Sequence, residues 1–199
     1  MTQHPIPLKC SCGEVEGKIL ISSTLEGNNI TCMCDDCQSF AYYLHREHDI
    51  LNENKGTPIF QITPNKISIH KGKNNLACLQ LKSKGLKRWY TNCCKTPVAN
   101  TISSKIAFNG IFHQFIDFQS MDPQHVKEFQ SFKNHCMGKF GKGPFPVNTS
   151  AGFPLSLTLN IAKTILWGFF KKTYKPNTFF DLDSGNPISK PRILAEEVH

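Results

Sequence analysis

Apolar and polar residues alternate along much of the first 120 positions, and this pattern predicts short β-strands. Val15, Ile19 and Ile21 lie at odd positions around charged neighbours, which is typical of a strand with one buried face. Further strands are predicted at 58–62, 66–70, 76–81 and 85–90, separated by segments rich in proline, glycine and asparagine. Several short strands joined by turns favour a folded pair of sheets or an open barrel.

A helical period replaces this alternation after residue 120. Asp122 and Pro123 are typical of a helix start, as N-cap and first helical residue, and Gly138 predicts the stop. The apolar positions at helical spacing between them are Val126, Phe129, Phe132 and Cys136. We therefore predict a mainly β domain at residues 1–120 and a helical extension and tail at 121–199, an α+β protein in total.

The segment from Phe153 to Phe170 is the most apolar part of the chain. Asn160 and Lys163 in its middle make it a poor membrane span, so we predict no transmembrane segment. We expect a helix that packs on the domain. A helix that lies on a membrane surface or binds a partner is the alternative, because lysines follow it directly.

The chain has a formal net charge of +8, and the excess is uneven. Between Glu53 and Asp117 there are ten lysines and arginines and no acidic residue. This basic stripe predicts an anionic ligand or an acidic partner surface; the alternative is a set of solvated lysines on outward strand faces. No recognisable nucleic-acid-binding motif accompanies the charge, so no specific nucleic-acid partner is predicted.

Nine cysteines are many for 199 residues, and their number is odd. The amino terminus does not resemble a secretory signal, so we expect a cytoplasmic protein. In a reducing compartment such cysteine usage indicates metal binding or catalysis before disulfides. Seven of the cysteines fall in three clusters; the others, Cys78 in an apolar run and Cys136 on the predicted helix, are expected to be core thiols.

The densest cluster is Cys32, Cys34 and Cys37, with the spacings C-x-C and C-x-x-C. A tight turn directs residues two and three apart to a common centre, where zinc binds thiolates tetrahedrally at about 2.3 Å. Three protein ligands leave the fourth position open, which is typical of a catalytic zinc. The alternative is a closed structural site, with His45 or His48 as the fourth ligand.

The other two clusters are Cys10 with Cys12, which precede a strand, and the adjacent pair Cys93 and Cys94. Two ligands do not close a zinc site, so the first pair needs partners from a distant segment, and the second pair can supply them. Such a site would join the amino terminus to the strand that ends at Tyr90 and would stabilise the fold. The alternative is that these cysteines are free thiols or small core residues.

The order of these motifs resembles that of the glutathione-dependent formaldehyde-activating enzyme family, which includes the centromere protein V group. The matching motifs are C-x-C-G at Cys10–Gly13, C-x-C-x-x-C at Cys32–Cys37, and the aromatic pair that leads through Cys94 to Thr96-Pro97. The resemblance covers roughly residues 8–118 and leaves the C-terminal third outside.

This resemblance implies the β-tent fold, in which small antiparallel sheets are held together by zinc. It implies one structural zinc on Cys10, Cys12 and the late cysteines, and a second zinc, near the substrate, on Cys32, Cys34 and Cys37. The implied reaction is carbon–sulfur lyase chemistry, in which formaldehyde and glutathione combine to S-hydroxymethylglutathione or are released from it.

The late motif departs from the family pattern C-x-x-C-G-T-P. Thr91 occupies the position of the first cysteine, Lys95 replaces the glycine, and Cys94 aligns with the second cysteine. The structural site then uses Cys93 as a substitute, uses Cys94 with a ligand other than cysteine, or is empty. We therefore expect one to two zinc ions per chain in a divergent member of the family.

Charged residues near the cysteines are candidates for supporting roles. Three thiolates and one zinc ion carry a net charge of about −1, which Lys87 or Arg88 is expected to offset while also holding substrate carboxylates. Asp35 and Asp36 lie inside the three-cysteine motif and are expected to orient groups or move protons, or else to be solvated turn residues.

We therefore predict a zinc-dependent carbon–sulfur lyase that acts on a small thiol such as glutathione, or on another anionic substrate. A zinc-stabilised scaffold that binds a partner without catalysis is the second hypothesis, and a metal or redox sensor is the third. The oligomeric state stays open, with a homo-oligomer among the alternatives.

Overall fold

Eleven strands in two sheets carry about half of the regular structure in the computed structural model, which describes residues 4–22, 26–131 and 134–194. The strands are β1 (His4–Lys9), β2 (Glu16–Ile21), β3 (Asn28–Cys32), β4 (Thr57–Ile62), β5 (Ile67–Lys71), β6 (Leu76–Gln80), β7 (Lys87–Thr91), β8 (Pro97–Thr101), β9 (Asn109–Phe112), β10 (Asn134–Cys136) and β11 (Arg192–Ile193). The helices are α1 (Asp35–Tyr43), α2 (Glu47–Ile50), α3 (Pro123–Phe129) and α4 (Leu155–Lys171). The α+β fold class is confirmed, and strands form at each predicted run.

The smaller sheet has the strand order β1-β2-β5, and both of its pairs are antiparallel. The predicted alternation holds along β2, where Ile19 and Ile21 are buried and Lys18 is exposed. The buried face of this sheet packs on the larger one, since Ile6, Ile19 and Trp89 belong to one apolar cluster.

The larger sheet has the order β10-β3-β4-β9-β8-β7-β6-β11. Its central pairs are antiparallel, whereas β10 and β11 join β3 and β6 in parallel at the two edges. Both edge strands come from residues beyond 120, so the C-terminal part contributes to the sheet that the first part forms. The division of the chain at residue 120 stays a prediction.

The larger sheet is buried on both faces, and this determines which residues reach the cysteines. Trp89 on β7 faces the smaller sheet, and its Nε1 donates a hydrogen bond of 2.9 Å to Thr101 Oγ1. Tyr90, the next residue, belongs to a second apolar cluster that includes Phe40 of α1. Alternation along one strand therefore directs successive side chains into two separate cores.

The helix predicted to run from Pro123 towards Gly138 is shorter than expected. It begins at Pro123 as predicted but ends at Phe129, and Phe132 lies outside the described residues. Cys136 belongs instead to strand β10, opposite Cys32 of β3. Helical spacing of apolar residues was a wrong indicator here, because hydrogen bonds to a strand about a hundred residues earlier in the chain override a local helical pattern.

The apolar helix predicted at 153–170 is present as α4, which packs on the domain through a narrow stripe only. Only Leu157 and Gly168 are buried along its 17 residues. In the described part of the chain, no helix combines the length and the hydropathy that crossing a bilayer requires.

Candidate metal centres

The structure brings Cys10, Cys12, Cys93 and Cys94 together, and we call them the four-thiol cluster. Their sulfur atoms all lie within 4.8 Å of one another. Cys10 Sγ lies 3.6 Å from Cys12 Sγ and 4.0 Å from Cys93 Sγ, and the Sγ atoms of Cys93 and Cys94 lie 3.8 Å apart. A tetrahedral zinc site with bonds of about 2.3 Å has sulfur–sulfur edges of about 3.8 Å. The donor set therefore fits a zinc ion.

Two tight turns position these four thiols. In the first, which follows β1, Gly13 N donates to Cys10 O at 2.9 Å and Val15 N approaches Cys10 Sγ at 3.2 Å. In the second, between β7 and β8, Lys95 N donates to Thr91 O at 2.9 Å. Because the turns lie more than 80 residues apart in sequence, the cluster joins the start of the chain to the middle of the larger sheet.

Thr91, at the position where the resembled family has a cysteine, supports the cluster through its hydroxyl. Thr91 Oγ1 lies 3.3 Å from Cys94 Sγ, and Thr96 Oγ1 lies 3.2 Å from the same sulfur. Burial raises the pKa of the Cys94 thiol, but the hydrogen bonds from Thr91 and Thr96 lower it more, to about 5. These hydrogen bonds therefore favour the thiolate form of Cys94, which is the form that binds zinc.

Lys95, which replaces a glycine in the resembled motif, keeps a left-handed backbone with φ of 57°. That conformation costs about 1 kcal/mol for a residue other than glycine. The side chain has some compensation, since Lys95 Nζ lies 5.3 Å from the centre of the Tyr90 ring. The turn geometry is therefore retained although the glycine is absent.

Arg46 ties this cluster to the α1–α2 segment. Its Nη1 donates to Thr96 Oγ1 at 3.0 Å, to Ser11 Oγ at 3.0 Å and to Cys94 O at 3.1 Å. Its other nitrogens contact Asp49, with Nη2 at 2.9 Å. No local sequence pattern predicts this role, because Arg46 lies about 50 residues from the late cysteines.

Cys32, Cys34 and Cys37 form a second group, the three-thiol cluster, with sulfur atoms that also lie within 4.8 Å of one another. Cys32 ends β3, Cys34 is the N-cap of α1, and Cys37 lies in the first turn of that helix. The positive end of the helix dipole favours negative charge at this position. Three thiols at a helix start fit a cation that thiolates prefer, such as zinc.

Mutual contact and burial keep these thiols protonated in the metal-free chain. The hydrogen bond with Cys32 raises the pKa of Cys37 to about 12, although the nearby Arg88 charge lowers it. Cys32 lowers the pKa of Cys34, but contact with Cys37 and burial raise it to about 12. The three sulfurs can all become thiolates only when a cation compensates them, so metal binding at this cluster releases protons.

Arg88 is the cation that the fold brings to the three-thiol cluster. Its side chain is only 2% exposed, and its Nη1 lies 3.9 Å from Cys37 Sγ and 3.3 Å from Asn100 Oδ1. Its Nη2 lies 3.6 Å from Asp36 Oδ2. The predicted neighbour Lys87 points elsewhere, with Nζ 3.4 Å from Ile102 O. Of the two basic candidates, therefore, only Arg88 lies beside the cysteines.

Cys136 is a neighbour of the three-thiol cluster that sequence reasoning missed. It is fully buried, lies opposite Cys32 in the β3–β10 pair, and its Sγ lies 3.6 Å from Thr31 O. Contact with Cys136 is the main cause that raises the pKa of Cys32. It stands outside the group of thiols that lie within 4.8 Å of one another. No sequence signal was available, because the pairing of β10 with β3 is a tertiary contact.

The histidines considered as a fourth ligand do not join the three thiols. Among the described residues, no histidine falls within the 4.8 Å group, and the His48 side chain is 93% exposed.

The basic stripe is partly neutralised, since Lys66 Nζ lies 2.6 Å from Glu26 Oε1 and Lys71 Nζ lies 3.0 Å from Glu16 Oε1. Solvated and paired lysines therefore account for part of the stripe.

Comparison with known proteins gave one family match. The model of a family of unknown function, DUF6151, matches residues 2–191. No curated protein matches the chain. Among solved structures, a crystal structure of a Rhodobacter sphaeroides protein from a structural genomics programme aligns with a TM-score of 0.42 and 16% identity, over 61% of this chain and 94% of that one.

Proposed function

This chain belongs to the DUF6151 family of unknown function, and we propose that it is a zinc protein that carries out carbon–sulfur chemistry on a small thiol at the three-thiol cluster. The observation that carries the proposal is the set of three thiols at the start of α1. Among the described residues, no histidine, further cysteine or carboxylate lies within 4.8 Å of all three sulfur atoms as a fourth ligand. Three protein donors leave a tetrahedral ion one position for a substrate thiol.

The four-thiol cluster has a different role in this proposal. Its four donors complete a tetrahedron without a substrate, so its zinc would stabilise the fold. Cys93 supplies the donor that Thr91 does not, and two zinc ions per chain follow. The order of the cysteine motifs supports the same assignment, through its resemblance to the glutathione-dependent formaldehyde-activating enzymes and their β-tent fold.

Zinc at the three-thiol cluster would lower the pKa of a thiol in its open position and supply a thiolate near neutral pH. Arg88 offsets the net negative charge of the three thiolates, because its buried guanidinium lies 3.9 Å from Cys37 Sγ. The same guanidinium contacts Asp36, so Arg88 is already occupied, and residues other than Arg88 would bind the end of the substrate that is far from the zinc. Arg88 is therefore a positioning residue for the cysteines.

The reaction that we propose is the addition of a thiol to an aldehyde, and its reverse. One carbon–sulfur bond forms, and the thiol proton ends on the former carbonyl oxygen, so no oxidant or reductant is required. Glutathione and formaldehyde are the pair that the motif resemblance favours.

A zinc-stabilised scaffold without catalysis is the second candidate. The observation that favours it is burial: Cys32 and Cys37 are 6% and 3% exposed, and Cys136 contacts Cys32 from the side of β10. A site with this little access binds a metal well but admits a substrate only through the half-exposed side of Cys34.

Cobalt substitution separates the two candidates. Cobalt(II) in a thiolate site has visible absorption bands that change when a ligand enters. We expect glutathione to change the spectrum of the cobalt-loaded chain, S-methylglutathione to leave it unchanged, and Cys34→Ser to abolish the response. We also expect the zinc-loaded chain to form S-hydroxymethylglutathione from formaldehyde and glutathione, followed by NMR, faster than buffer does.

Two results would contradict the proposed carbon–sulfur chemistry. If the chain binds two zinc ions, but glutathione leaves the cobalt spectrum unchanged and the product forms at the buffer rate, the scaffold is correct. If Cys34→Ser binds as much zinc as the unmodified chain, the three-thiol cluster is not a zinc site. That result would contradict both the enzyme and the scaffold, because each places a second zinc ion there.

A further inference from the structure

Helix α4 contacts the rest of the protein through one narrow stripe. Leu157 and Gly168 are buried, and Ile161 and Ile165 between them are half-buried. Gly168 lies so close to Ala107 that a Cβ atom there would meet its side chain. A groove of about 670 Å³ runs beneath the helix. The domain therefore covers only the inner side of α4.

The outer side of α4 is apolar as well. Leu155, Leu159, Ala162, Leu166 and Phe169 are exposed and repeat at steps of four and three residues, which places them on one face of the helix. The four large side chains among them are between 59% and 74% exposed. Phe170, at 70% exposed, widens the C-terminal end of this face, and Trp167, at 62% exposed, lies at its edge and lines the groove. A helix that is apolar on both sides is normally buried on both, but nothing among the described residues covers this outer face.

The segment of the sequence that contains this helix carries only positive charge. Between Glu128 and Asp181 the sequence has seven lysines and no acidic residue. Lys171, Lys172 and Lys175 lie at the C-terminal end of α4, and Lys171 Nζ is 5.1 Å from the centre of the Trp167 ring. Glu26, an acid in the lining of the groove beneath, is paired with Lys66 at 2.6 Å. Among the described residues, no carboxylate forms an ion pair with Lys171, Lys172 or Lys175.

An apolar face flanked by lysines complements a surface that is apolar inside and anionic at its rim. A second copy of this chain is a poorer complement, because it also has a net charge of +8 and would present the same lysines rather than anionic groups. An anionic lipid surface offers acyl chains to the leucines and phenylalanines and phosphate or carboxylate groups to the lysines. Trp167, beside Lys171, is a residue type that membrane interfaces favour.

We propose that α4 is an interfacial helix, and that this protein binds the surface of membranes rich in anionic lipids through the outer face of α4. The helix would lie in the plane of the interface and does not need to cross the bilayer, in agreement with its length of 17 residues. This binding is independent of the proposed chemistry at the cysteines.

Vesicle binding by the full zinc-loaded chain tests this proposal. We expect co-sedimentation with phosphatidylcholine vesicles that contain phosphatidylserine, and much weaker binding to phosphatidylcholine alone. Tryptophan emission should shift to the blue on binding, and the shift reports on Trp167 because Trp89 is fully buried already. Raised salt should weaken the binding, since the lysine contribution is electrostatic.

Two variants and one matched control sharpen the test. Lys171→Gln/Lys172→Gln/Lys175→Gln should bind the anionic vesicles about a hundredfold more weakly. Lys82→Gln/Lys84→Gln/Lys105→Gln lowers the net charge equally at exposed lysines outside α4 and should bind nearly as the unmodified chain does. Leu159→Ser/Leu166→Ser should lose binding while keeping its zinc content and unfolding temperature, because both residues are exposed.

Three results would overturn the proposal. Equal binding by the α4 and control lysine variants would mean that net charge alone attracts the chain. Binding that is insensitive to Leu159→Ser/Leu166→Ser would remove the helix face from the interaction. A dimer in light scattering that the same leucine variant converts to a monomer, without vesicle binding, would assign the face to a second copy.

Discussion

The two cysteine clusters use the same donor atom, but they occupy opposite situations in the fold. The four-thiol cluster takes its donors from two turns more than 80 residues apart and lies partly exposed. The three-thiol cluster takes its donors from one short segment, and Arg88 lies against its buried side. A metal in the first closes a long loop, whereas a metal in the second orders only a local turn. Stability should therefore depend on the first cluster, and chemistry on the second.

The largest expected effect separates the clusters by stability. Cys93→Ser should lower the zinc content from two ions to one and lower the unfolding temperature by about 10 °C, because about 3 kcal/mol of cross-linking between distant segments is lost. Cys34→Ser should also lose one zinc but shift the unfolding temperature by only a few degrees, since protonated buried thiols pack as small apolar side chains. Metal analysis and calorimetry measure both quantities, and equal shifts for the two variants would contradict the comparison.

A rescue variant tests whether Cys93 stands in for the missing cysteine. In Cys93→Ser, the further change Thr91→Cys should restore the second zinc and most of the stability, because Thr91 Oγ1 already lies 3.3 Å from Cys94 Sγ. Thr91→Ser on the same background keeps the hydroxyl without adding a thiol and should restore neither. Rescue by both would mean that the hydroxyl, and not a fourth thiol, decides metal binding.

A smaller effect concerns the charge beside the three-thiol cluster. The Arg88 charge lowers the pKa of Cys37, so Arg88→Met should make the thiolate harder to form. Zinc or cobalt loading of this cluster should then require a pH about one unit higher, which corresponds to about 1.4 kcal/mol. Lys87→Met is the matched control, because Lys87 points towards Ile102 O and should leave the midpoint unchanged. A pH titration of the cobalt spectrum gives both midpoints.

The smallest effect concerns the turn of the four-thiol cluster. Lys95→Gly should be about 1 kcal/mol more stable than Lys95→Ala, because both lose the contact with Tyr90 but only glycine adopts a φ of 57° without strain. Chemical denaturation of the zinc-loaded variants measures the difference. Equal stabilities would show that this turn carries no left-handed strain when zinc is bound.

The failures of the sequence predictions share one physical cause, which is contact between segments that are distant in the chain. Strands were predicted well where the pattern is local, as along β2, whose buried and more exposed side chains alternate. Cys136 was assigned to a helix because its spacing from Phe129 is helical, yet its backbone pairs with β3 in parallel. Helix α4 packs on the domain through one side only, because sequence hydropathy cannot tell which side of an apolar helix finds a partner.

The sequence by itself determined the α+β class, the strand positions and the two sets of cysteines, because these follow from local periodicity and from spacing within short motifs. Tertiary structure decided which distant groups meet. It brought Cys93 rather than Thr91 into the four-thiol cluster, directed Arg88 and not Lys87 to Cys37, and placed Cys136 beside Cys32. Each of these choices depends on strand register and on which face of a sheet a side chain occupies, and a shift of one residue in register reverses that face.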